Sequence, residues 1–177
     1  MIRAAINGYG RIGRVAHRVI LEKHLDEVGI VGINAGHSTD IKGWMYLLKY
    51  DTNYGLLRGH TLDFKSQNSN LKDSIGSLVI DGKEIPVFSQ KDASLLPWRD
   101  LNVDVVIEST GHFTSEEKLK IHLDAGAKSV VLSAPARDGN VPTYVISVND
   151  KDYKGEKLIN NASCTTNCIT PVAKVIV

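Results

Sequence analysis

The chain has 177 residues, 42% apolar and 23% charged, with 21 Lys and Arg against 20 Asp and Glu for a formal net charge of +1. That length suits one ordinary domain, or one domain and the start of a second, and the near-neutral balance excludes a broad attraction to nucleic acid or another polyanion. No window approaches the roughly 20 apolar residues of a membrane-spanning helix, and two cysteines, Cys164 and Cys168, are too few for a disulfide scaffold.

Taken in chain order, short β-branched runs alternate with longer amphipathic segments. This predicts an α/β fold of Rossmann type, a doubly wound, mainly parallel sheet covered by helices. Met1 leads straight into a strand at Ile2–Asn7, without a basic segment, a long apolar stretch and a cleavage site, so a cytoplasmic chain with no export signal is expected. Apolar residues at helical spacing follow over Arg11–Lys23, then a strand at Val28–Asn34 and a helix over 40–48. The stretch 59–89 breaks the rhythm with Asn- and Gly-rich turns. Its Asp81-Gly82 between runs at 77–80 and 84–88 is a hairpin signal, and the segment reads as an antiparallel insertion. Strands at 103–108, 129–133 and 143–146, a short one near 157–160 and a helix over 116–125 restore the β-α-β order. The final residues carry Ile169, Val172, Ala173 and Ile176 at helical spacing with no stop signal, so a helix cut short is expected there.

Gly8-Tyr9-Gly10-Arg11-Ile12-Gly13 follows the first strand and opens the first helix, which is the context a dinucleotide fingerprint requires. The first two glycines permit a tight turn and close approach of backbone to a pyrophosphate, the helix start offers N–H donors, and Gly13 allows helix to sit close on strand. The alternative is a tight glycine turn with no ligand. A site of this type usually places an acid at the end of the second strand to hold the adenosine ribose. Here that strand runs into Asn34-Ala35-Gly36-His37-Ser38, and the first acid, Asp40, reads as a helix cap. Without a carboxylate a ribose 2′-phosphate meets no repulsion, which favours NADP tolerance. With no arginine to clamp that phosphate, Asn34 alone serving the NAD ribose stands as the other reading.

Asn161-Ala162-Ser163-Cys164-Thr165-Thr166-Asn167-Cys168 puts a thiol where a polar loop turns into an apolar-periodic helix. A helix amino terminus stabilises a thiolate, and its free N–H groups, with the hydroxyls of Ser163, Thr165 and Thr166, suit a developing oxyanion or a phosphate. Cys164 is thus the candidate nucleophile, against the alternative of an inert helix-start thiol. Cys168, one turn on, is expected to be a small buried apolar residue. Scattered histidines and this cysteine spacing give no metal site.

Together with Leu48-Lys49-Tyr50-Asp51-Thr52, Glu108-Ser109-Thr110-Gly111-His112-Phe113 and Ser133-Ala134-Pro135, the glycine loop and the cysteine motif resemble the phosphorylating glyceraldehyde-3-phosphate dehydrogenases of the bacterial and eukaryotic type, in particular their amino-terminal NAD(P)-binding part. The motifs stand in that family's order over nearly the whole chain. The resemblance implies NAD or NADP as cofactor, held at Asn7, Gly8, Gly10, Arg11, Ile12, Gly13, Asn34, Lys91, Gly111 and Ser133. Lys91 could equally be a solvated surface charge and Ser133 a strand-end turn residue. It also implies that Cys164 attacks the aldehyde of glyceraldehyde 3-phosphate, that a hydride leaves for the nicotinamide, and that inorganic phosphate releases the thioester as 1,3-bisphosphoglycerate. Ser163 and Thr165 match positions that contact substrate or phosphate.

Two departures qualify the likeness. Ala35 stands where NAD-preferring members have an acid. The family's base histidine and substrate-phosphate arginine lie beyond residue 177, so a catalytic half in cis or as a separate chain is expected, with 1–160 as dinucleotide-binding domain and 161–177 as the start of a catalytic domain. For an intact enzyme the resemblance implies a cytoplasmic homotetramer of glycolysis and gluconeogenesis. Erythrose-4-phosphate dehydrogenase shares these motifs and is the first alternative, and aspartate-semialdehyde dehydrogenase differs at the glycine loop and the cysteine context. A nucleotide-binding module without turnover is the alternative from another class.

Overall fold

The computed structural model describes residues 1–66 and 73–176. Strand β1 (Ile2–Asn7) is central, and its Ala4, Ala5 and Ile6 are fully buried. Successive residues of a strand face opposite sides, and here Ala5 joins one core cluster while Ile6 joins the other. Covering both faces removes the usual alternation with polar residues, so Ala4, Ala5 and Ile6 form an unbroken apolar run within β1. The first cluster surrounds Trp98 with Val106, Leu119, Val130 and Leu132, and the second gathers Tyr9, Leu21, Ile33, Leu48 and Leu78. Each large aliphatic chain so buried contributes about 1.5–3 kcal/mol relative to exposure.

Around β1 lie β2 (Val28–Asn34) on one side and β8 (Val105–Glu108) on the other, both parallel to it. The remaining strands are β3 (Tyr50–Asp51), β4 (Gly55–Leu56), β5 (Leu62–Ser66), β6 (Ser74–Ile80), β7 (Lys83–Phe88), β9 (Ser129–Leu132) and β10 (Leu158–Asn160). Strands β3 and β4 form a separate two-stranded antiparallel ribbon, and the main sheet has the order β10-β9-β8-β1-β2-β7-β6-β5. Helices α1 (Arg11–Lys23), α2 (Ile41–Lys49), α3 (Glu116–Asp124) and α4 (Cys164–Ile176) complete the chain. The chain leaves β1 through α1 toward β2 and β7, then returns across β1 to begin β8 and work outward to β10. That reversal puts a topological switch point at the carboxyl ends of β1 and β8, where ligands of open α/β sheets bind.

The expected α/β, mainly parallel architecture is observed, with local differences. The hairpin at Asp81-Gly82 forms as expected, both residues taking left-handed backbone (φ 48° and 78°) as a two-residue turn requires. The 59–89 segment does not stand apart, however. β7 pairs in parallel with β2 through Ile33–Val87 and Asn34–Phe88, so the segment extends the main sheet and only β6 runs against it. Residues 67–72 of that segment, and Val177 of the expected final helix, lie outside the described residues. The expected strand at 143–146 is replaced by a single bridge from Thr143 to Asn160. The backbone N–H of Val145 bonds Asn149 Oδ1 at 2.8 Å and its carbonyl accepts from Val148, closing a turn that ends the ladder.

Candidate functional site

At the switch point the glycine loop is fitted between two strand ends. The N–H of Gly8 donates to the Asn34 carbonyl at 2.9 Å, and Ser109 donates its N–H to the Asn7 carbonyl (2.8 Å) and its hydroxyl to that of Gly8 (2.7 Å). Gly8 has φ 95°, and a Cβ there would lie 2.7 Å from the backbone of Ser109 and Thr110. Gly13 is equally confined, since a Cβ would meet the Gly8 carbonyl oxygen at 2.2 Å. Gly10 differs: a Cβ there meets nothing within 4 Å. The fold itself therefore demands Gly8 and Gly13, whereas Gly10 keeps space open above the crevice.

Gly10 is also the N-cap of α1 and supplies no capping side chain. Helix geometry leaves the N–H groups of Arg11, Ile12 and Gly13 without helical acceptors, beside that space. Such a cradle fits a pyrophosphate, both by donor geometry and by the positive end of the helix dipole. The Arg11 side chain turns away to pair with Asp51 at 3.2 Å, which leaves only its backbone N–H facing the cradle. N–H bonds from Asn53 and Tyr54, followed by the Arg11 charge, hold the Asp51 carboxyl below its ordinary range.

Beneath α1 lies a tight aromatic and cationic cluster. Tyr9 Oη sits 2.8 Å from His17 Nδ1, and the Arg14 guanidinium lies over the Trp44 ring, donating from Nη1 to the Tyr9 carbonyl. Burial raises the Tyr9 phenol above its usual range, lowers the Arg14 guanidinium and pushes His17 down to about 3, with His60 adding to the last shift. His17 Nε2, Arg14 Nε and Trp44 Nε1 are buried without a hydrogen-bond partner among the described residues.

A second polar network runs under the crevice. Glu108, His122 and Asn7 are almost wholly buried. Trp98 Nε1 donates to His122 Nδ1 at 3.1 Å. Because indole nitrogen can only donate, Nδ1 is the acceptor and the ring proton sits on Nε2, which donates to Glu108 Oε2 at 3.0 Å. Asn7 Nδ2 also donates to that oxygen, while Glu108 Oε1 accepts the Thr110 N–H at 2.7 Å and its hydroxyl. Asn34 Nδ2 then donates to Asn7 Oδ1 (2.7 Å) and to the Gln90 carbonyl (2.8 Å), and Asn34 Oδ1 accepts the Gln90 N–H (2.9 Å). The ends of β1, β2 and β8 and the residue after Ser89 are thereby joined. Trp98, Glu108 and His122 were not singled out from the sequence. In the sequence Glu108 stands in the Glu108–Phe113 motif, and nothing local marks Trp98 or His122 as its partners.

The cysteine segment reaches the same sheet edge. β10 ends at Asn160, the Asn161 N–H bonds the Leu132 carbonyl at the end of β9 (3.1 Å), and α4 opens at Cys164. Strand spacing sets the ends of β10 and β1, three strands apart, about 14 Å from each other. Ala162 is buried with left-handed backbone at φ 64°, its N–H held by Asn160 Oδ1 at 3.0 Å. Ser163 Oγ accepts the Thr166 N–H (3.1 Å) and lies 2.9 Å from the Thr165 hydroxyl, capping the helix. Cys164 is exposed. So is Cys168, which corrects the expectation of a buried packing residue: no residue of α4 is buried, because its apolar side carries Ile169 and Val172, themselves more than half exposed.

The other sequence-derived residues fall along this edge. Ser133 follows β9 with its N–H on the Glu108 carbonyl (2.9 Å), Gly111 (φ 75°) turns the loop after β8, and Lys91 is exposed just beyond β7. Ala35 donates its N–H to the Phe88 carbonyl at 2.9 Å, and His37 is exposed beside it. A cavity of about 430 Å³ lined by Met1, Arg3, Val28, Lys83 and Pro86 lies at the opposite, amino-terminal edge and is no part of this site. Among the described residues no cluster of three or more His, Cys, Asp or Glu could hold a metal, and no helix is long and apolar enough to cross a membrane.

A doubly wound sheet with an uncapped glycine-loop helix at its switch point defines a Rossmann-type dinucleotide-binding domain. Residues 2–116 match the family described as glyceraldehyde 3-phosphate dehydrogenase, NAD binding domain, and the chain belongs to the glyceraldehyde-3-phosphate dehydrogenase family of oxidoreductases. It is 43% identical over 176 residues to the cytosolic glyceraldehyde-3-phosphate dehydrogenase of Trypanosoma brucei brucei, covering 99% of this chain and 49% of that protein. The enzymes of the same name from Thermotoga maritima and Clostridium acetobutylicum are 45% and 46% identical over 177 residues, covering 99% of this chain and 49% and 48% of theirs. The chain spans about half the length of the curated relatives it matches.

Proposed function

We propose that this chain supplies the cofactor site and the nucleophile for oxidation of glyceraldehyde 3-phosphate to 1,3-bisphosphoglycerate, completed by a catalytic half in cis or as a separate chain. The observation that carries the reading is the position of Cys164, on the first turn of α4 at the same sheet edge as the glycine loop. Arg11, Ile12 and Gly13 hold the pyrophosphate through backbone N–H groups, and Gly10 leaves it room. A bound nicotinamide cofactor supplies the hydride acceptor.

Cys164 sulfur bonds the aldehyde carbon, and the N–H groups opening α4 face the oxyanion that develops. With loss of a hydride to the bound cofactor and of the hydroxyl proton to a base, that adduct becomes a thioester. Ser163 and Thr165 hydroxyls bind substrate or inorganic phosphate, and a phosphate oxygen displaces the Cys164 sulfur from the acyl carbon. His17 and His122 are fully buried and bonded within the core, so neither takes the proton of the reacting hydroxyl. The family resemblance places that base in the completing half, and residues 161–177 begin its domain in this reading.

Binding extends to NADP as well as NAD in this reading, because Ala35 presents no carboxylate to a ribose phosphate and the Asn34 amide already bonds protein groups. The test is to mix the chain with a polypeptide supplying the second half and to follow reduction of NAD and NADP with glyceraldehyde 3-phosphate and phosphate. Turnover abolished by Cys164→Ser supports the reading, and a folded, cofactor-binding complex without turnover overturns it. Faster turnover with erythrose 4-phosphate would reassign the substrate.

A second reading, a nucleotide-binding module without turnover, makes the exposed Cys164 an inert helix-start thiol. Alkylation of Cys164 at neutral pH no faster than that of Cys168 would support it.

A further inference from the structure

We propose that Glu108 is a positioning residue for the dinucleotide: its buried carboxylate sets the 109–111 loop and Asn7 in the arrangement that keeps the β1–β8 crevice open, with His122 and Trp98 locking it from behind. The proposal rests on the cofactor-domain reading above.

The two carboxylate oxygens have separate tasks. Oε2 faces inward and accepts from His122 Nε2 (3.0 Å) and Asn7 Nδ2. Oε1 faces the loop and accepts from the N–H (2.7 Å) and the hydroxyl of Thr110. All four neighbours present hydrogens, so the site calls for a group that only accepts, which among side chains of this size means an ionised carboxylate.

A glutamine of the same shape cannot satisfy both sides. Turned inward, its NH₂ would oppose the N–H groups of Asn7 and His122. His122 cannot relieve this by moving its proton to Nδ1, because the Trp98 N–H already occupies that nitrogen. Turned outward, the NH₂ opposes the Thr110 N–H and displaces the loop. Gly8 lies so close to Ser109 and Thr110 that a Cβ would come within 2.7 Å of their backbone. Any shift of the loop is therefore transmitted to the glycine turn, while the core cluster around Trp98 stays in place.

The test is NAD titration of the ¹⁵N-labelled chain by calorimetry and NMR, comparing Glu108→Gln with wild type. Expected are a rise in Kd of about tenfold, as for loss of one hydrogen bond to a charged group, and displaced Thr110 and Gly111 amide resonances with the His122 proton still on Nε2. Trp98→Phe, remote from the crevice, provides the second arm. It frees Nδ1, so the His122 proton redistributes and the NAD Kd rises by about threefold. NAD affinity of a folded variant is a readout that a merely structural role would not move. Wild-type affinity in folded Glu108→Gln overturns the proposal. Should that variant not fold, so does unchanged affinity in a Trp98→Phe chain whose His122 proton has redistributed. Failure of the wild-type chain itself to bind NAD overturns the cofactor-domain reading and this proposal with it.

Discussion

The starts of α1 and α4 lie at one edge of one sheet and are built in opposite ways. Helix α1 begins at Gly10 with no side-chain cap and is held from below by confined glycines and a cluster of buried Tyr9, Arg14 and His17 with half-buried Trp44. Helix α4 begins behind Ser163, whose hydroxyl caps the Thr166 N–H, and none of its residues is buried. An uncapped start is tolerable where tertiary contacts fix the helix, and it leaves donors free for an anion. A helix with little tertiary support needs its own cap.

The sharpest way to break this contrast is pH, because only the α1 side holds a buried histidine without a charge partner. His17 has a folded-state pKa of about 3, below its ordinary value of 6.5. The unfolded chain therefore binds the extra proton first. The stabilisation is complete above about pH 6.5 and is lost as pH falls toward 3, at about 1.4 kcal/mol per unit and about 5 kcal/mol over the window. Urea denaturation between pH 7 and 4 is expected to show that slope, and His17→Gln to flatten it. A slope unchanged by the substitution would remove His17 as the cause. The carboxyl groups of Asp51, Asp81 and Asp104, lowered chiefly by hydrogen bonds, add their loss only as pH falls below the ordinary carboxylate range.

Next in size is Gly8→Ala, which forces a Cβ to within 2.7 Å of backbone at φ 95°. Its expected cost is about 3 kcal/mol, read as a lower denaturant midpoint together with loss of NAD binding. Equal stability to wild type would show that the loop shifts more easily than its contacts imply.

Ser163→Ala removes the α4 cap for about 1 kcal/mol, a cost confined to that helix. Hydrogen exchange at Thr166 and Asn167 should accelerate while protection in β1 is unchanged. Exchange that speeds up in both regions would mean that α4 is coupled to the core after all.

Smallest in stability is Gly10→Ala, expected within about 0.5 kcal/mol of wild type, since its Cβ meets nothing within 4 Å. Its effect belongs to the ligand: NAD affinity should fall although the melting midpoint holds. A variant binding NAD as wild type does would show that the space above Gly10 is not used.

Legibility followed the range of the forces involved. The Asp40 cap was readable because its partner, the Gly43 N–H, is three residues away. The Asp81-Gly82 turn was readable because two adjacent residues had to accept positive φ. The strand expected at 143–146 failed although its residues favour strands, since Asn149 offered Val145 a nearer partner than the sheet did. Helical periodicity says which residues share a face but not whether anything covers it, so the exposure of Cys168 is not legible in the sequence.

By itself the sequence determined the alternation of strands and helices, the glycine turn into α1 and the thiol at the opening of α4, all set by backbone preference and side-chain period within a few residues. Only the tertiary structure decided that β7 joins β2 in parallel, that Gly10 faces open space while Gly8 and Gly13 do not, and that Asn7 meets Glu108 across 101 residues of chain. Hydrogen-bond direction and close approach depend on where distant segments come to rest. Neither has a local periodicity from which it could be read.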